Sequence, residues 1–235
     1  MAHTPRARLG VLVTNITYRN PALLARQALT LDHLSAGRLE LAFGPGGQAS
    51  DYAMAGVGPW DAPERVARCG EVVELVDQLL RNAETTWSGA HYHVDGARIE
   101  PRPVQQPRPP LTIAAHGPRM LRLAARHADV WNSLGGLREG TPAAALAETR
   151  ERVARLDAAA TELGRDPRTI RRSFLAGFTP DRPFSSVDAF EDFVGRYRSI
   201  GVDEFIFFYK PRHATQAMWE RVATEVMPQL RAMHA

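Results

Sequence analysis

Residues 115–119 (AHGPR) place a glycine, a proline and a cation together where an apolar strand-like run gives way to a helical pattern. Backbone N–H groups at the start of a helix, aided by the helix dipole, bind phosphate without a dedicated side chain. Arg119 can add a charge-assisted hydrogen bond, whereas Pro118 removes one N–H donor. The spacing therefore leaves two alternatives open, an anion site or an ordinary turn.

Glycines also follow two other apolar runs, at Gly44 and at Gly135. The sequence GPGG from Gly44 allows the backbone to approach a ligand closely, because glycine has no Cβ. It does not match the G-x-G-x-x-G fingerprint of dinucleotide-binding folds, and no helix is predicted directly after it. A ligand-binding loop and a flexible loop are both compatible with this stretch.

Two further groups of polar residues are candidates on spacing alone. His91 and His93 alternate along a predicted strand and share one face, but no third metal ligand is evident, so we predict no metal site. Arg65, Arg68 and Glu71 recur at spacings of three on one helix, as either a salt-bridged face or an arm for a cofactor phosphate. No nucleophile motif is present, so the sequence leaves the catalytic residues unassigned.

These groups lie on an alternating pattern of strand-like and helical segments, which predicts βα units and a parallel sheet. The six predicted strands cover residues 8–14, 38–43, 110–115, 128–134, 169–177 and 203–209. Working residues in such folds lie at the carboxyl ends of strands, which here include Val13, Thr14 and Asn15. Residues 85–110 interrupt the alternation with a hairpin and a proline-rich return. No composition shift divides the chain, so we predict a single domain over residues 1–235.

The composition excludes several classes of function. Basic residues are scattered among acidic ones and the net charge is only +3, which argues against nucleic-acid binding. The single cysteine, Cys69, rules out a disulfide within the chain and is expected on the apolar side of a helix. No apolar run approaches the ~18 residues of a membrane span, and the N-terminus has no apolar signal region. We expect a soluble, cytoplasmic protein that acts on a small-molecule substrate, without nucleic-acid or membrane partners.

Four stretches of the sequence carry a family resemblance. They are, in chain order, LGVLVTNITYRNPALLARQALTLDHLSAGRLELAFGPGG, ERVARCGEVVELVDQLL, WSGAHYHVDG and PRPVQQPRPPLTIAAHGPRMLRLAARHADVWNSLGG. The first resembles the third βα unit and fourth strand of the luciferase-like monooxygenase family. The other three extend the resemblance in the same order, so that it covers residues 8–136 with dense motifs and the remainder more weakly.

The resemblance implies a TIM-barrel-like (β/α)8 fold, of which this chain holds about six βα units with a small hairpin excursion. Family members are oxidoreductases or monooxygenases that bind FMN or the deazaflavin coenzyme F420 across the carboxyl ends of the strands. NAD(P)H is a candidate reductant. We therefore expect hydride transfer on an unknown small molecule. The first two βα units of the family would precede residue 8, and we expect them to be absent.

The resemblance also implies positions for the cofactor. Its phosphate would lie at the turn after the family's fifth strand, formed here by Ala115, His116, Gly117, Pro118 and Arg119. A non-proline cis peptide would join Leu12 to Val13, behind the flavin ring. Further cofactor contacts would come from strand ends at Thr14, Asn15, Gly44 and Gly135. The candidates for polar contacts are Asn15, Tyr18 and His116.

The chain departs from the family at the glycine loop. Family members often carry a tryptophan, a glutamate or an arginine there, whereas this chain has Pro45, Gly46 and Gly47. The alternative function is therefore a non-catalytic flavoprotein or assembly subunit that has lost the front of the barrel. An open barrel leaves edge strands with unpaired backbone groups. We expect a homo-oligomer, or pairing of residues 8–14 and 203–209 with another chain, with an N-terminal arm or with each other.

Overall fold

The structure, a computed structural model, describes residues 4–135, 140–209 and 213–232. Its strands and helices in chain order are β1 (Leu9–Asn15), α1 (Pro21–Leu34), β2 (Leu39–Gly44), α2 (Ala49–Ala55), α3 (Ala62–Arg81), β3 (Thr85–Ser88), β4 (His93–Ala97), β5 (Leu111–Ala114), α4 (Pro118–His127), β6 (Val130–Leu134), α5 (Pro142–Glu162), β7 (Arg171–Leu175), α6 (Val187–Arg198), β8 (Glu204–Ile206), α7 (His213–Arg221) and α8 (Met227–Ala232). Within these ranges no helix is both long and apolar enough to cross a bilayer.

The strands follow the order β1-β2-β5-β6-β7-β8, and β3 pairs with β4 in a separate hairpin. β1 pairs with β2, β2 with β5, and β7 with β8, all in parallel, whereas β3 and β4 are antiparallel. A helix follows each of the six strands along the chain. This order confirms the predicted α/β fold of about six βα units with a small hairpin excursion.

The chain divides into two compact units. The first comprises Met1–Trp131 and Ala159–Ile170, and the second comprises Asn132–Ala158 and Arg171–Ala235. The first unit contains β1, β2 and β5, and the second contains β7 and β8, while β6 begins in the first and ends in the second. The single domain expected over residues 1–235 stays a prediction.

The core of the first unit is formed by its middle strands and one face of α3. Phe43 of β2 and Ile113 of β5 are fully buried, as are Cys69, Val73 and Val76 on α3. Cys69 therefore lies on the apolar helix face, as expected. Burial raises the pKa of its thiol to about 12, so the group is an unreactive part of the core.

Aromatic rings form the core of the second unit. Phe174 of β7 lies 4.2 Å from Tyr197 of α6, measured between ring centroids, and Phe193 lies 4.8 Å from Tyr197. Phe190 completes this cluster from the same helix. Such close tilted pairs add to the stabilisation that ring burial provides. Burial also raises the pKa of Tyr197, so its phenol stays protonated.

Local signals mark the starts of several helices. Pro21 is the first residue of α1, a position whose N–H would have no acceptor within the helix, so the lack of an N–H costs no hydrogen bond. Asp61 Oδ1 accepts the N–H of Glu64 at the start of α3, and Ser186 Oγ accepts the N–H of Ala189 at the start of α6. These side chains satisfy backbone donors that a helix leaves unpaired at its N-terminus.

The connection after β2 differs from the expectation. It contains a short helix, α2, which begins soon after Gly47 and ends at Gly56 in the left-handed conformation, with φ 67°. The expectation that no helix directly follows GPGG is therefore wrong. The segment ASDYAMA has good helix formers, and a terminal glycine is a common helix stop. This helix brings a carboxylate to the end of β1, as described next.

Candidate functional site

Strand β1 contains, in its middle, the cis peptide bond that the family resemblance implied, between Leu12 and Val13. The parallel register with β2 shifts at the same place, between Val11 and Thr14. Val13 packs directly on Gly44, because a Cβ at residue 44 would lie only 2.8 Å from Val13 Cγ2. Glycine at position 44 therefore allows the ends of β1 and β2 to approach each other closely.

Asp51 of α2 holds the turn after β1. Its Oδ2 accepts a hydrogen bond from Asn15 Nδ2 at 2.7 Å, and its Oδ1 accepts one from the Tyr18 hydroxyl at 2.9 Å. Asn15 Oδ1 accepts the N–H of Thr17 at 2.9 Å. We call Asn15, Tyr18 and Asp51 the Asp51 cluster. Desolvation, together with the hydrogen bond and charge of Asp51, raises the pKa of Tyr18, so its phenol is protonated at neutral pH.

The glycine loop lies beside this cluster, because a Cβ on Gly46 would lie 3.5 Å from Asn15 Oδ1. Gly46 and Gly47 have φ of 66° and 130°, values that favour glycine over residues with a Cβ. A Cβ on Gly47 would lie 3.2 Å from Arg65 Cζ, so the guanidinium packs on the loop backbone. Thr17 Oγ1 and Arg65 Nε are buried without a hydrogen-bond partner in the described chain. Two unsatisfied polar atoms thus lie directly against the backbone of the glycine loop.

The turn after β5 is anchored on one side and open on the other. The buried Ala115 carbonyl accepts a 2.9 Å hydrogen bond from Trp131 Nε1. Gly117 is the N-cap of α4, with no side-chain hydrogen bond to the cap, and a Cβ there would meet no atom within 4 Å. Pro118 and Arg119 are exposed, and His116 is half-buried. The N-terminus of α4 therefore presents backbone donors to solvent beside a cation.

In the second unit, Gly135 follows β6. A Cβ at this position would overlap Thr179 Cγ2 and would lie 3.0 Å from Phe174 Cζ. Close packing within the unit is therefore a sufficient reason for glycine here. Arg152 Nη1 donates a 2.8 Å hydrogen bond to the Leu134 carbonyl, so a helix-borne cation also reaches the carboxyl end of β6.

The spaced charges on α3 have separate roles. Arg68 pairs with Glu64 at 2.8 Å and lies over the Trp60 ring, 4.4 Å from its centroid. Glu71 instead accepts backbone N–H groups of residues 90–92 and holds the β3–β4 hairpin on α3. The predicted face joined Arg65, Arg68 and Glu71, whereas the structure pairs Arg68 with Glu64 and places Glu71 against the hairpin backbone. Among the described residues, no group of three His, Cys, Asp or Glu side chains is placed to hold a metal ion, at His91 and His93 or elsewhere.

The sequence interpretation missed Asp51, which joins two of the predicted polar contacts. Its signal was present, since an acidic residue in the first turn of a helix complements the helix dipole. The segment was interpreted as a loop because of its glycines, so Asp51 was not placed on a helix. Among the predicted residues, the structure brings Asn15, Tyr18 and Gly44 together around α2 and β2.

Several proteins of known sequence are similar to this chain. The luciferase-like monooxygenase family matches residues 1–223. The phthiodiolone/phenolphthiodiolone dimycocerosates ketoreductase of Mycobacterium kansasii is 34% identical over 200 residues, covering 84% of this chain and 52% of the relative. The F420-dependent glucose-6-phosphate dehydrogenase of Gordonia bronchialis is 34% identical over 128 residues, covering 54% of this chain and 37% of the relative. The chain spans about half the length of the ketoreductases that it matches.

Comparison with solved structures supports the same fold. An F420-dependent secondary alcohol dehydrogenase, solved with an F420-acetone adduct, superposes with a TM-score of 0.72 at 16% identity, over 85% of this chain and 73% of that one. The coenzyme F420-dependent tetrahydromethanopterin reductase of Methanopyrus kandleri superposes with a TM-score of 0.74 at 18% identity, over 94% of this chain and 83% of that one. The superpositions show that the chain has an incomplete form of a TIM-barrel-like fold, and the match over residues 1–223 shows that it belongs to the luciferase-like monooxygenase family.

Proposed function

We propose that this chain is a deazaflavin-dependent oxidoreductase that transfers hydride between bound F420 and a small carbonyl or alcohol substrate. Support comes from the named activities of its relatives, a ketoreductase and an F420-dependent dehydrogenase. The observation that carries the proposal is the open N-terminus of α4, because the backbone N–H groups at a helix start can bind the phosphate of a cofactor.

The residues of the first unit fit a phosphorylated, ring-bearing cofactor. Gly117 leaves space for a phosphate to approach the first backbone N–H groups of α4, and exposed Arg119 adds a cation. At the ends of β1 and β2, Thr17 Oγ1 and Arg65 Nε are buried polar groups without partners in the described chain, beside the glycine loop. A cofactor bound along this edge would find a phosphate site and polar groups that need hydrogen bonds.

The protein's contribution to the reaction is positioning. When bound, the deazaflavin supplies or accepts the hydride. The Asp51 cluster holds the Asn15 amide and the Tyr18 phenol in fixed positions after β1, so these groups stay in place during binding. The raised pKa of Tyr18 keeps its hydroxyl protonated, so it is not a base; because its proton is donated to Asp51, the phenol oxygen can only accept a hydrogen bond from a ligand.

The other cofactor and location expectations stay predictions. These are the use of FMN, reduction by NAD(P)H, and a cytoplasmic location. The alternative function, a non-catalytic flavoprotein or assembly subunit, is favoured by the glycine loop, where Gly47 supplies no side chain for proton transfer. The two functions predict different results when cofactors are added to the purified chain, because only the oxidoreductase should turn over a substrate.

The first experiment titrates F420 and FMN separately into the purified chain and follows absorbance and fluorescence. We expect saturable binding of F420 and its reduction or oxidation in the presence of a small alcohol or ketone. Binding without turnover supports the non-catalytic alternative. Failure of F420 to bind overturns the proposal.

The second experiment substitutes Gly117→Asp. Asp is a good N-cap residue, so α4 keeps or gains stability, while the new carboxylate occupies the donors and repels a phosphate. We expect F420 affinity to fall about tenfold or more with the folded fraction unchanged in urea titrations. Gly117→Ser is the matched control, because it caps the helix without a charge and should have the smaller effect on affinity. Equal affinity of the Asp variant and the unmodified chain contradicts a phosphate at this turn.

We also propose that β1 pairs with β1 of a second copy of this chain. Val11 and Leu12 are 66% and 37% exposed, which is unusual in a parallel sheet, where strands are normally covered. A groove of about 450 Å³ lies between β1 and α1 and includes Leu24 and Leu31 in its apolar lining. Pairing of identical edges about a two-fold axis would satisfy the backbone groups and cover this surface.

A further inference from the structure

The second unit contains a cavity of about 310 Å³ at the ends of two neighbouring strands. Gly177 and Phe178 follow β7, Phe207 and Phe208 follow β8, and these strands pair in parallel. Ligands in α/β proteins bind at the carboxyl ends of parallel strands. We call this the aromatic cavity; Phe184 and Trp219 complete its ring-bearing walls.

The walls of the aromatic cavity are rings in fixed mutual orientations. Phe184 stacks on Trp219 with 3.6 Å between ring centroids and 13° between planes. Phe207 meets Phe184 edge to face at 5.1 Å, and Phe178 meets Phe208 in the same way at 5.4 Å. The lining residues in the described chain include no Asp, Glu, Lys or Arg. These lining residues therefore offer a charged ligand no ion-pair partner to offset its lost hydration.

Phe208 forms the exposed edge of the cavity. Its ring covers Gly177 so closely that a Cβ at residue 177 would overlap it, and 43% of the residue remains exposed. A large exposed ring beside an apolar cavity is typical of a binding surface rather than of a closed core. The absence of a Cβ on Gly177 is what lets the ring lie there.

We propose that the aromatic cavity binds the hydrocarbon part of an uncharged carbonyl substrate. That the substrate has a carbonyl group rests on the proposed function, whereas its apolar part is inferred from the residues that line the cavity. Ligand pockets have volumes of roughly 300–1,000 Å³, so a cavity at the lower end suits an unbranched aliphatic chain or the end of a larger one. A phosphorylated sugar does not fit this lining.

The test uses the cofactor-free chain, so that it does not depend on F420. The probe is 2-decanone, with glucose 6-phosphate as the polar comparison, and binding is followed by tryptophan fluorescence and by calorimetry. We expect saturable binding of the ketone, a change in the Trp219 emission, and no saturation with the sugar phosphate. Trp219→Phe keeps an aromatic wall and should abolish the fluorescence change while calorimetric binding persists.

Phe208→Ser tests the site directly, and Met54→Ser is its matched control. Both residues are exposed, but Met54 lies on α2 in the first unit, outside the aromatic cavity. We expect the ketone to bind roughly fivefold more weakly to the Phe208 variant and with unchanged affinity to the Met54 variant. Circular dichroism checks that both variants are folded, and Phe178→Ser repeats the test if the Phe208 variant is not.

Three results would overturn the inference. They are the absence of saturable ketone binding, equal ketone affinity in the cavity variants and the unmodified chain, and an undiminished fluorescence change in Trp219→Phe. None of these depends on cofactor binding. If F420 binds and reacts but 2-decanone binds elsewhere, the proposed function stands and the cavity assignment fails. If the ketone binds in the cavity but F420 does not bind, the cavity assignment stands and the proposed function fails.

Discussion

Glycines that follow or end strands occupy two opposite environments in this chain, crowded or open. At Gly44 and Gly135, a neighbouring side chain occupies the space that a Cβ would need, whereas at Gly117 that space is empty. Packing is therefore a sufficient reason for the first two glycines, and their cofactor contacts stay predictions. Gly117 is the one of the three where a ligand has room to approach the backbone.

Substituting Gly135→Ala tests the packing role. The new methyl group would overlap Thr179 Cγ2, and relieving such overpacking costs about 1–3 kcal/mol of unfolding free energy. Thr179→Ser removes that methyl group and should restore part of the loss. Gly58→Ala is the control, because a Cβ there meets no atom within 4 Å. The measurement is urea denaturation of each variant. Equal stability of the Gly135 and Gly58 variants would contradict the packing role.

The Asp51 cluster predicts a titration effect at Tyr18. Desolvation and the Asp51 carboxylate both raise the pKa of this phenol, so Asp51→Ala should lower it towards the ordinary tyrosine value. The measurement is the ultraviolet absorbance of tyrosinate against pH, with Tyr18→Phe subtracted to isolate the residue. Asp95→Ala, an exposed acid on β4, is the control and should leave the titration unchanged. A Tyr18 titration unaffected by Asp51→Ala would show that the carboxylate does not act on the phenol.

At the scale of elements, one buried cation fixes the start of β5. Arg108 pairs with Asp77 of α3 at 2.5 Å and with Asp129, which follows α4. Asp129 Oδ2 also accepts the N–H of Leu111 at 2.7 Å, and the Arg108 side chain is only 4% exposed. Burial opposes ionisation of Asp77, but hydrogen bonds from Arg81 and Arg108 outweigh it and lower its pKa. This network ties the amino end of β5 to helix α3, away from the predicted phosphate turn at its carboxyl end.

Removing the cation should be strongly destabilising. Arg108→Met removes the shared partner of Asp77 and Asp129 and leaves Asp77 with Arg81, at an expected cost of about 1.5–3 kcal/mol in unfolding free energy. Adding Asp129→Asn removes one unpaired charge and should recover part of that loss. Arg98→Met is the comparison, because Arg98 pairs with Glu84 at an exposed position and should cost at most about 1 kcal/mol. Urea titrations measure all three, and equal losses for Arg108 and Arg98 would refute the network's role.

At the scale of the whole molecule, β1 is the first strand in the order and has β2 as its neighbour. β1 is therefore an edge strand with exposed apolar side chains at Val11 and Leu12. Natural proteins usually cover such edge strands. The chain also spans about half the length of the ketoreductases that it matches. The exposed apolar edge makes self-association through β1 the natural first test at this scale.

Val11→Lys tests association through β1. A lysine on the edge strand opposes pairing because two copies would bring like charges together, while its exposed position leaves the fold intact. We expect the unmodified chain to form a dimer in sedimentation experiments and the variant to form a monomer. Leu34→Lys, exposed at the end of α1, is the control and should remain dimeric. A monomeric unmodified chain would refute pairing with a second copy.

Much of the fold could be predicted from local signals, because strands and helices leave periodic patterns. Caps such as Asp61 and Ser186 act on backbone groups close to them in the chain, so helix starts of this kind can be recognised from the sequence. Helix α2 was missed because its glycine-rich surroundings favour a loop, and a helix of this length is stabilised by its neighbours more than by its own propensity. The cis bond at Leu12–Val13 came from the family resemblance, since no residue type outside proline signals it locally.

The sequence by itself determined the alternation of strands and helices, the family, and the position of the turn at Gly117. These follow from apolar periodicity and from motifs that are contiguous in the chain. Tertiary structure alone decided which residues meet across long separations, such as Asp51 with Asn15 and Tyr18, and the rings after β7 with those after β8. It also decided which glycines have open space where a Cβ would lie, as at Gly117, and which are packed against a side chain, as at Gly44. The reason is physical, because burial and contact depend on neighbours that folding supplies, and local sequence does not specify them.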